Sequence, residues 1–323
     1  MPARLLHTGN LVIDLVMTVP AVPEVGGDVL ATSTEATPGG GFNVMAAAAR
    51  QGLPVIYAGA HGTGPFGEQA RAALRAEGIT ARTMPRARPD TGFVVSLVDA
   101  SGERTFVTSP GAEATLTFED LAELRPDPQD IVYVSGYSLL YAPNRAVLID
   151  WLPSVDPKTT VVVDPGPLVS EIPKPALDLV LRRADWWSCN AREATLLTGF
   201  YEPSDAARAL RDRLGRGSVL LRTGPDGCLI DDGGSGGGGA SSGDLQVIPG
   251  FKVHAVDLNG AGDAHTGVFM AALADGLEPP AAARRANAAA ALAVTVHGPA
   301  SAPDARTLDR FLTSAGEPPT HGA

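Results

Sequence analysis

Apolar positions along this chain follow two spacings that take turns. Short apolar runs with no polar alternation occur at residues 55–59, 131–135, 160–163, 186–189 and 219–222. Runs this short, apolar on both sides, predict strands covered on both faces, as in a parallel sheet. Between them, 66–77 and 143–152 carry helical spacing, and the last third is Ala-rich and helical over 261–275 and 279–296. The alternation predicts βαβ units: an α/β fold, a three-layer αβα sandwich around a mainly parallel sheet. Two stretches depart from it. Residues 15–36 and 91–108 alternate apolar and polar positions around turn signals, which predicts half-exposed strands forming a small β-lid. In the second, 91–98 and 104–108 read as a hairpin joined at 99–103.

The Gly/Ser-rich segment 231–244 (DDGGSGGGGASSGD) predicts a long flexible hairpin loop rather than a domain linker. The organisation is therefore one α/β domain over 1–312 with a discontinuous lid, followed by a flexible tail over 313–323.

Composition narrows the function classes. The net charge of −11 argues against a nucleic-acid or anionic-membrane partner, since either needs clustered basic charge. No apolar run reaches the ~18 residues of a membrane span, and the start MPARLLHTGN is no signal peptide, so a soluble, cytoplasmic protein is expected. Two cysteines, Cys189 and Cys228, give neither a disulfide framework nor a zinc cluster.

The most informative motif is Asp257-Leu-Asn-Gly-Ala-Gly-Asp263, read as following a strand (251–256) and opening a helix. Gly260, Ala261 and Gly262 place free N–H groups at a helix N-terminus, where a phosphate can sit. Asp263, in the first turn, either complements the helix dipole or accepts the proton of an attacking hydroxyl. Pro38-Gly39-Gly40-Gly41-Phe42-Asn43 precedes a helix over 44–50. Asn43 is either its cap or a partner for sugar hydroxyls, with Gly39 and Gly40 giving close approach. Asn10 and Asp14 follow the first strand; Asp14 is a turn residue or an acceptor for two hydroxyls. Asn190 and Glu193 are either a helix capping pair or oxygen ligands for Mg²⁺, directly or through water.

Gly62-Thr-Gly-Pro-Phe-Gly67 fits the dinucleotide fingerprint, with Asp90 at 23 residues beyond Gly67. Pro65 removes an N–H from that turn, and the strand before it is not the first of the chain. NAD binding is thus a minor alternative. The chain has no G-x-x-x-x-G-K-[ST] and no G-x-S-x-G.

Taken in order, these motifs resemble the ribokinase-like (PfkB) carbohydrate kinase family over about residues 4–312. The resemblance implies that Asp263 is the catalytic base and that Gly260, Ala261 and Gly262 form its anion hole. It implies acceptor binding by Asn10, Asp14, Gly39, Gly40 and Asn43, and Mg²⁺ organised by Asn190 and Glu193. Thr223, Gly224 and Gly227 resemble a turn that touches ATP, with Asn190 beside it and Asn287 near the adenine. Asp257 and 295–298 lie where the family binds a monovalent cation such as K⁺ through backbone carbonyls, although Leu258 and Asn259 depart from the usual residues there. Tyr133-Val-Ser-Gly-Tyr137, Asp164-Pro-Gly-Pro167 and Gly262-Asp-Ala-His265 resemble a poorly characterised bacterial sugar-kinase branch.

The function these residues imply is ATP-dependent phosphorylation of a sugar hydroxyl. The alternative is a nucleoside kinase with an aromatic slot drawn from Phe93, Phe106 or Tyr137. A non-catalytic sensor is the reading outside enzymes. A homodimer paired through exposed lid strands is expected, because pairing protects an open sheet edge.

Overall fold

The computed structural model describes residues 2–232 and 245–315. The chain begins β1 (Leu5–His7), β2 (Leu11–Thr18), β3 (Ser33–Gly40), α1 (Gly41–Arg50), β4 (Val55–Tyr57), α2 (Pro65–Ala76) and β5 (Thr80–Ala81). It continues through β6 (Phe93–Val98), β7 (Arg104–Ser109), α3 (Phe118–Ala122), β8 (Ile131–Ser135), α4 (Gly136–Leu140), α5 (Ala142–Trp151), β9 (Thr160–Asp164) and α6 (Lys174–Arg183). The last part holds β10 (Trp186–Asn190), α7 (Ala191–Thr198), α8 (Pro203–Leu214), β11 (Ser218–Arg222), β12 (Gly227–Asp231), β13 (Gln246–Pro249), α9 (Ala261–Ala274), α10 (Pro279–Ala293) and α11 (Ala305–Ser314).

Among the described residues, nine strands form one sheet in the order β13-β12-β11-β10-β9-β8-β1-β4-β5. From β11 to β5 every pair is parallel; β12 runs against both its neighbours. The central strands feed both faces. In β8, Val132 and Val134 join a cluster with Trp151 of α5, Val180 of α6 and Leu210 of α8. Ile131 and Tyr133 face the other way, into a cluster with Met45 of α1, Leu74 of α2 and Phe269 of α9. An apolar run on a two-period backbone must bury both faces, and helices on both sides complete three layers.

The second sheet, β3-β2-β6-β7, is the lid. Its strands begin earlier than the alternation indicated, because Leu11, Val12 and Ile13 are buried and belong to both lid and body. Residues 19–32 carry no strand. β6 and β7 form the expected hairpin, its turn closed by Asp99 accepting from the N–H groups of Ser101 and Glu103.

One expected strand is absent: 251–256 is irregular backbone. Its apolar residues serve local packing instead, with Phe251 edge-on to Phe311 and beneath the Arg284 guanidinium. The strand before α9 is β13, paired antiparallel with β12. Most of the 231–244 loop and the tail beyond Ala315 lie outside the described residues, although the strands flanking the loop do pair as a hairpin would.

Candidate active site

Two helices beginning in glycines define the site. Gly40, ahead of α1, has φ +59°, and Gly260, ahead of α9, has φ +75°; both are left-handed conformations that side chains resist. α1 and α9 then pack backbone to backbone. A Cβ on Gly267 of α9 would stand 2.5 Å from the Val44 carbonyl oxygen and 2.7 Å from the Ala47 methyl group. That close approach brings the two N-termini together, and the Asn43 side-chain amide donates to Asp263 Oδ2 at 2.9 Å.

Asp263 thus sits in the first turn of α9, half-buried, with its carboxyl pushed up to about 6 by burial despite the Asn43 hydrogen bond. The Gly262 and Asp263 N–H groups have no acceptor among the described residues. Two free amides at a helix N-terminus, with no Cβ at 260 or 262 to fill the space, fit a terminal phosphate. Gly260 is obligatory for a second reason: a Cβ there would lie 1.8 Å from the Pro299 carbonyl oxygen.

Asp257 knits the loop that presents this cradle. Its carboxylate accepts from Asn259 N at 2.9 Å, Gly298 N at 3.1 Å and Arg104 of the lid at 2.7 Å. Burial works to raise its pKa, but these donors outweigh burial and hold it below the usual carboxylate range. Where a monovalent cation was expected, the Asp257 carboxylate is therefore already paired with a guanidinium.

The acceptor-side residues gather around the same point. Asp14, on β2, lies against Gly39; a Cβ at 39 would be 2.1 Å from its Oδ2. Burial pushes the Asp14 carboxyl up to about 6, with Arg104 pulling it back. Asn10 is buried, its Oδ1 accepting from Ser135 at 3.4 Å and its carbonyl accepting from Gly41 N at 2.7 Å. Asn43 is only 5% exposed, and its Oδ1 has no partner among the described residues. A buried acceptor without a donor is costly unless a ligand hydroxyl supplies one. Of the candidate aromatic residues, Phe93 packs on Phe66 and Phe106 is exposed on β7. Tyr137 lies over Gly166 at the end of β8, and its pKa is raised by burial and then by Asp263, Glu193, Asp164 and Asp14.

The nucleotide-side candidates divide. Asn190 and Glu193 form a reciprocal capping box on α7, each side chain accepting from the other's N–H at 2.9 Å. The structural alternative is thus realised, and it does not exhaust Glu193, whose carboxyl is raised to about 7 by burial and by Asp164. Among the described residues no group of three or more His, Cys, Asp or Glu is arranged to hold a metal. Glu193, Asp164 and the Asn190 amide fit Mg²⁺ through water and phosphate oxygens rather than as a closed cage. Thr223 and Gly227 close a turn through Thr223 N to Gly227 O at 2.8 Å, with Gly224 at φ +68° and Gly227 at φ +104°.

Asn287, expected beside an adenine, is buried and hydrogen-bonded within the protein. Its Oδ1 meets His265 Nε2 at 3.0 Å and its Nδ2 donates to the Ile248 and Pro249 carbonyls. It stands behind the wall, fixing β13 to α10. Two residues not singled out for chemistry turn out central. Arg222, at the end of β11, pairs with Asp164, at the end of β9, at 3.1 Å. The available signal was positional: both are charged residues closing apolar strands, where open α/β sheets bind ligands.

The dinucleotide fingerprint is answered by Asp90 itself. Its carboxylate accepts from the N–H groups of Gly64, Phe66 and Gly67, each at 3.0 Å. The N-terminus of α2 is filled from within, and no pyrophosphate can use it.

The family model for pfkB family carbohydrate kinases matches residues 3–306, and the chain belongs to that family. It is a carbohydrate kinase by class. It is 30% identical over 301 residues to the uncharacterized sugar kinase YegV of Escherichia coli, covering 93% of this chain and 91% of that one. It is 28% identical to the ribokinase of Bacillus subtilis, covering 90% and 92%. The ribokinase of Thermotoga maritima superposes with TM-score 0.81 at 24% identity, covering 97% and 100%. Arabidopsis thaliana ribokinase, solved with ribose and ATP, gives 0.77 at 24% identity, covering 97% and 99%. No helix among the described residues is long and apolar enough to cross a membrane.

Proposed function

We propose that this carbohydrate kinase transfers the terminal phosphoryl group of ATP to a hydroxyl of a small sugar, with Asp263 as general base. The observation that carries it is the pairing of two free amides at the α9 N-terminus with a carboxylate one residue on, held by Asn43.

Asp263 takes the proton of the acceptor hydroxyl as the hydroxyl oxygen bonds to the γ-phosphorus; the bond to the bridging oxygen breaks and ADP leaves. The Gly262 and Asp263 N–H groups receive the charge that develops on the phosphoryl oxygens. Asn43 fixes the base through Nδ2 and offers Oδ1 to an acceptor hydroxyl. Asp14 binds further hydroxyls across the lid seam. Mg²⁺, when bound through Glu193, Asp164 and Asn190, would neutralise phosphate charge. A related kinase from Salmonella enterica was solved with aminoimidazole riboside; here Tyr137 is the aromatic residue placed to meet a base, which keeps a nucleoside acceptor as the second reading. Leu258 and Asn259, which depart from the residues usual after Asp257, support turnover without K⁺. The exposed Phe106 and Val107 on β7 support a dimer through the lid, and the fold and charge support a cytoplasmic enzyme acting on small molecules.

The test is ADP release from ATP across pentoses, hexoses, ketoses and nucleosides, with and without K⁺, and with Mg²⁺ or EDTA. Turnover on one sugar, dependent on Mg²⁺ and indifferent to K⁺, is expected. Turnover on nucleosides alone would replace the sugar reading, and K⁺ dependence would restore a cation at 257 and 295–298. Sedimentation should give twice the chain mass; a monomer at micromolar protein would contradict the lid dimer.

A further inference from the structure

The site as described is short of positive charge. Asp14, Asp164, Glu193 and Asp263 are close enough to influence one another electrostatically. A nucleotide adds further negative charge. The chain's three lysines, Lys158, Lys174 and Lys252, lie in neither glycine-rich turn. Arg104 is committed to Asp257. Arg222 remains.

Its guanidinium is held on three sides. Nη1 donates to Ser188 Oγ of β10 at 2.5 Å and to Thr266 Oγ1 of α9 at 2.9 Å. Nη2 donates to Asp164 Oδ2 at 3.1 Å and stands 3.8 Å from Glu193 Oε2. The side chain is 12% exposed. Nε alone has no acceptor among the described residues, and it faces Gly262. A Cβ built on Gly262 would lie 3.5 Å from Nε and 3.7 Å from Cζ and Nη2, an ordinary contact, so the guanidinium lies against Gly262 and its unpartnered Nε stands beside the cradle. An arginine buried only to neutralise Asp164 would have no need of a free donor beside a phosphate cradle. Its planar fork, locked by four partners, is preorganised in the way that stabilises charge developing on a phosphoryl group.

We infer that Arg222 is a catalytic residue, donating from Nε to an oxygen of the phosphoryl group in transit, across the gap left by Gly262. The inference rests on the reading of α9 as the phosphoryl cradle.

The test uses binding as well as turnover, because fluoroaluminate with ADP and Mg²⁺ mimics the phosphoryl group in transit. ADP affinity is measured by calorimetry with and without fluoroaluminate for wild type, Arg222→Met, Arg222→Lys and Asp263→Asn. Wild type should tighten with fluoroaluminate, and Arg222→Met should lose that tightening by roughly 100-fold while binding ADP alone within about threefold of wild type. Arg222→Lys should recover part of it. Should Arg222→Met fail to fold around unpaired Asp164, the Arg222→Met/Asp164→Asn double variant removes the orphaned charge and carries the same expectation. Equal tightening in wild type and either folded Met variant overturns the role of Arg222 and leaves the cradle intact. No tightening in wild type, together with full turnover in Asp263→Asn, overturns the cradle and the inference with it.

Discussion

At Asp263, burial and hydrogen bonding act against each other. Burial lifts the carboxyl to about 6, and Asn43 Nδ2 holds it from rising further. A base must be ionised, so kcat/KM should fall about tenfold per pH unit below pH 6 and level off above it. The same shift has a stability consequence. Between the ordinary carboxylate range and pH 6, the folded protein keeps a proton that the unfolded chain has released. This group therefore subtracts stability as pH rises through that window. Asp263→Asn should be more stable than wild type at pH 7, by on the order of 1 kcal/mol after screening by cleft water, and equal to it near pH 4. Urea unfolding at the two pH values reads this directly; a less stable variant at pH 7 would contradict the assigned cost. Glycines, asparagines and carboxylates were legible one by one because each sits in a turn that local rules recognise. Arg222 and Asp164 were not, since their pairing spans 58 residues of sequence and only the sheet brings them together.

Elements were legible where burial dictated their period. β8 falls at the expected bounds because Ile131 to Val134 are apolar and both faces are covered. The 251–256 segment failed because its alternation of Phe251, Val253 and Ala255 imitates a half-buried strand, while β13 already ends at Pro249 and Val256 N turns instead to the Val294 carbonyl. The α2 turn failed differently. Its glycines satisfy the spacing of a dinucleotide site, and the acidic residue is present near the expected distance, but the carboxylate fills the helix N-terminus itself. Asp90→Ala leaves three first-turn amides without their acceptor. It should cost roughly 1–3 kcal/mol in thermal or chemical unfolding and produce no NAD binding by fluorescence titration. Unchanged stability would contradict the capping role.

At the scale of the molecule, the central sheet brings Asp164, Asn190 and Arg222 together at the carboxyl ends of adjacent strands. Asp164, Asn190 and Arg222 end β9, β10 and β11, and the α9 cradle closes over the same side. Motif order along the chain was enough to indicate the family. Whether Asp257 carried a cation was not legible, because Arg104 lies 153 residues away on the lid and joins it only when lid and body meet. That ion pair ties the lid to the loop ahead of α9, while Asp14 lies against Gly39 within the lid sheet. The whole arrangement depends on one group. The most direct measurement is kcat of Asp263→Asn with the preferred sugar, beside its ATP affinity by calorimetry. The account predicts a loss of roughly 10³-fold or more in kcat with ATP affinity unchanged within a few fold. Turnover within tenfold of wild type in a folded Asp263→Asn protein would contradict it.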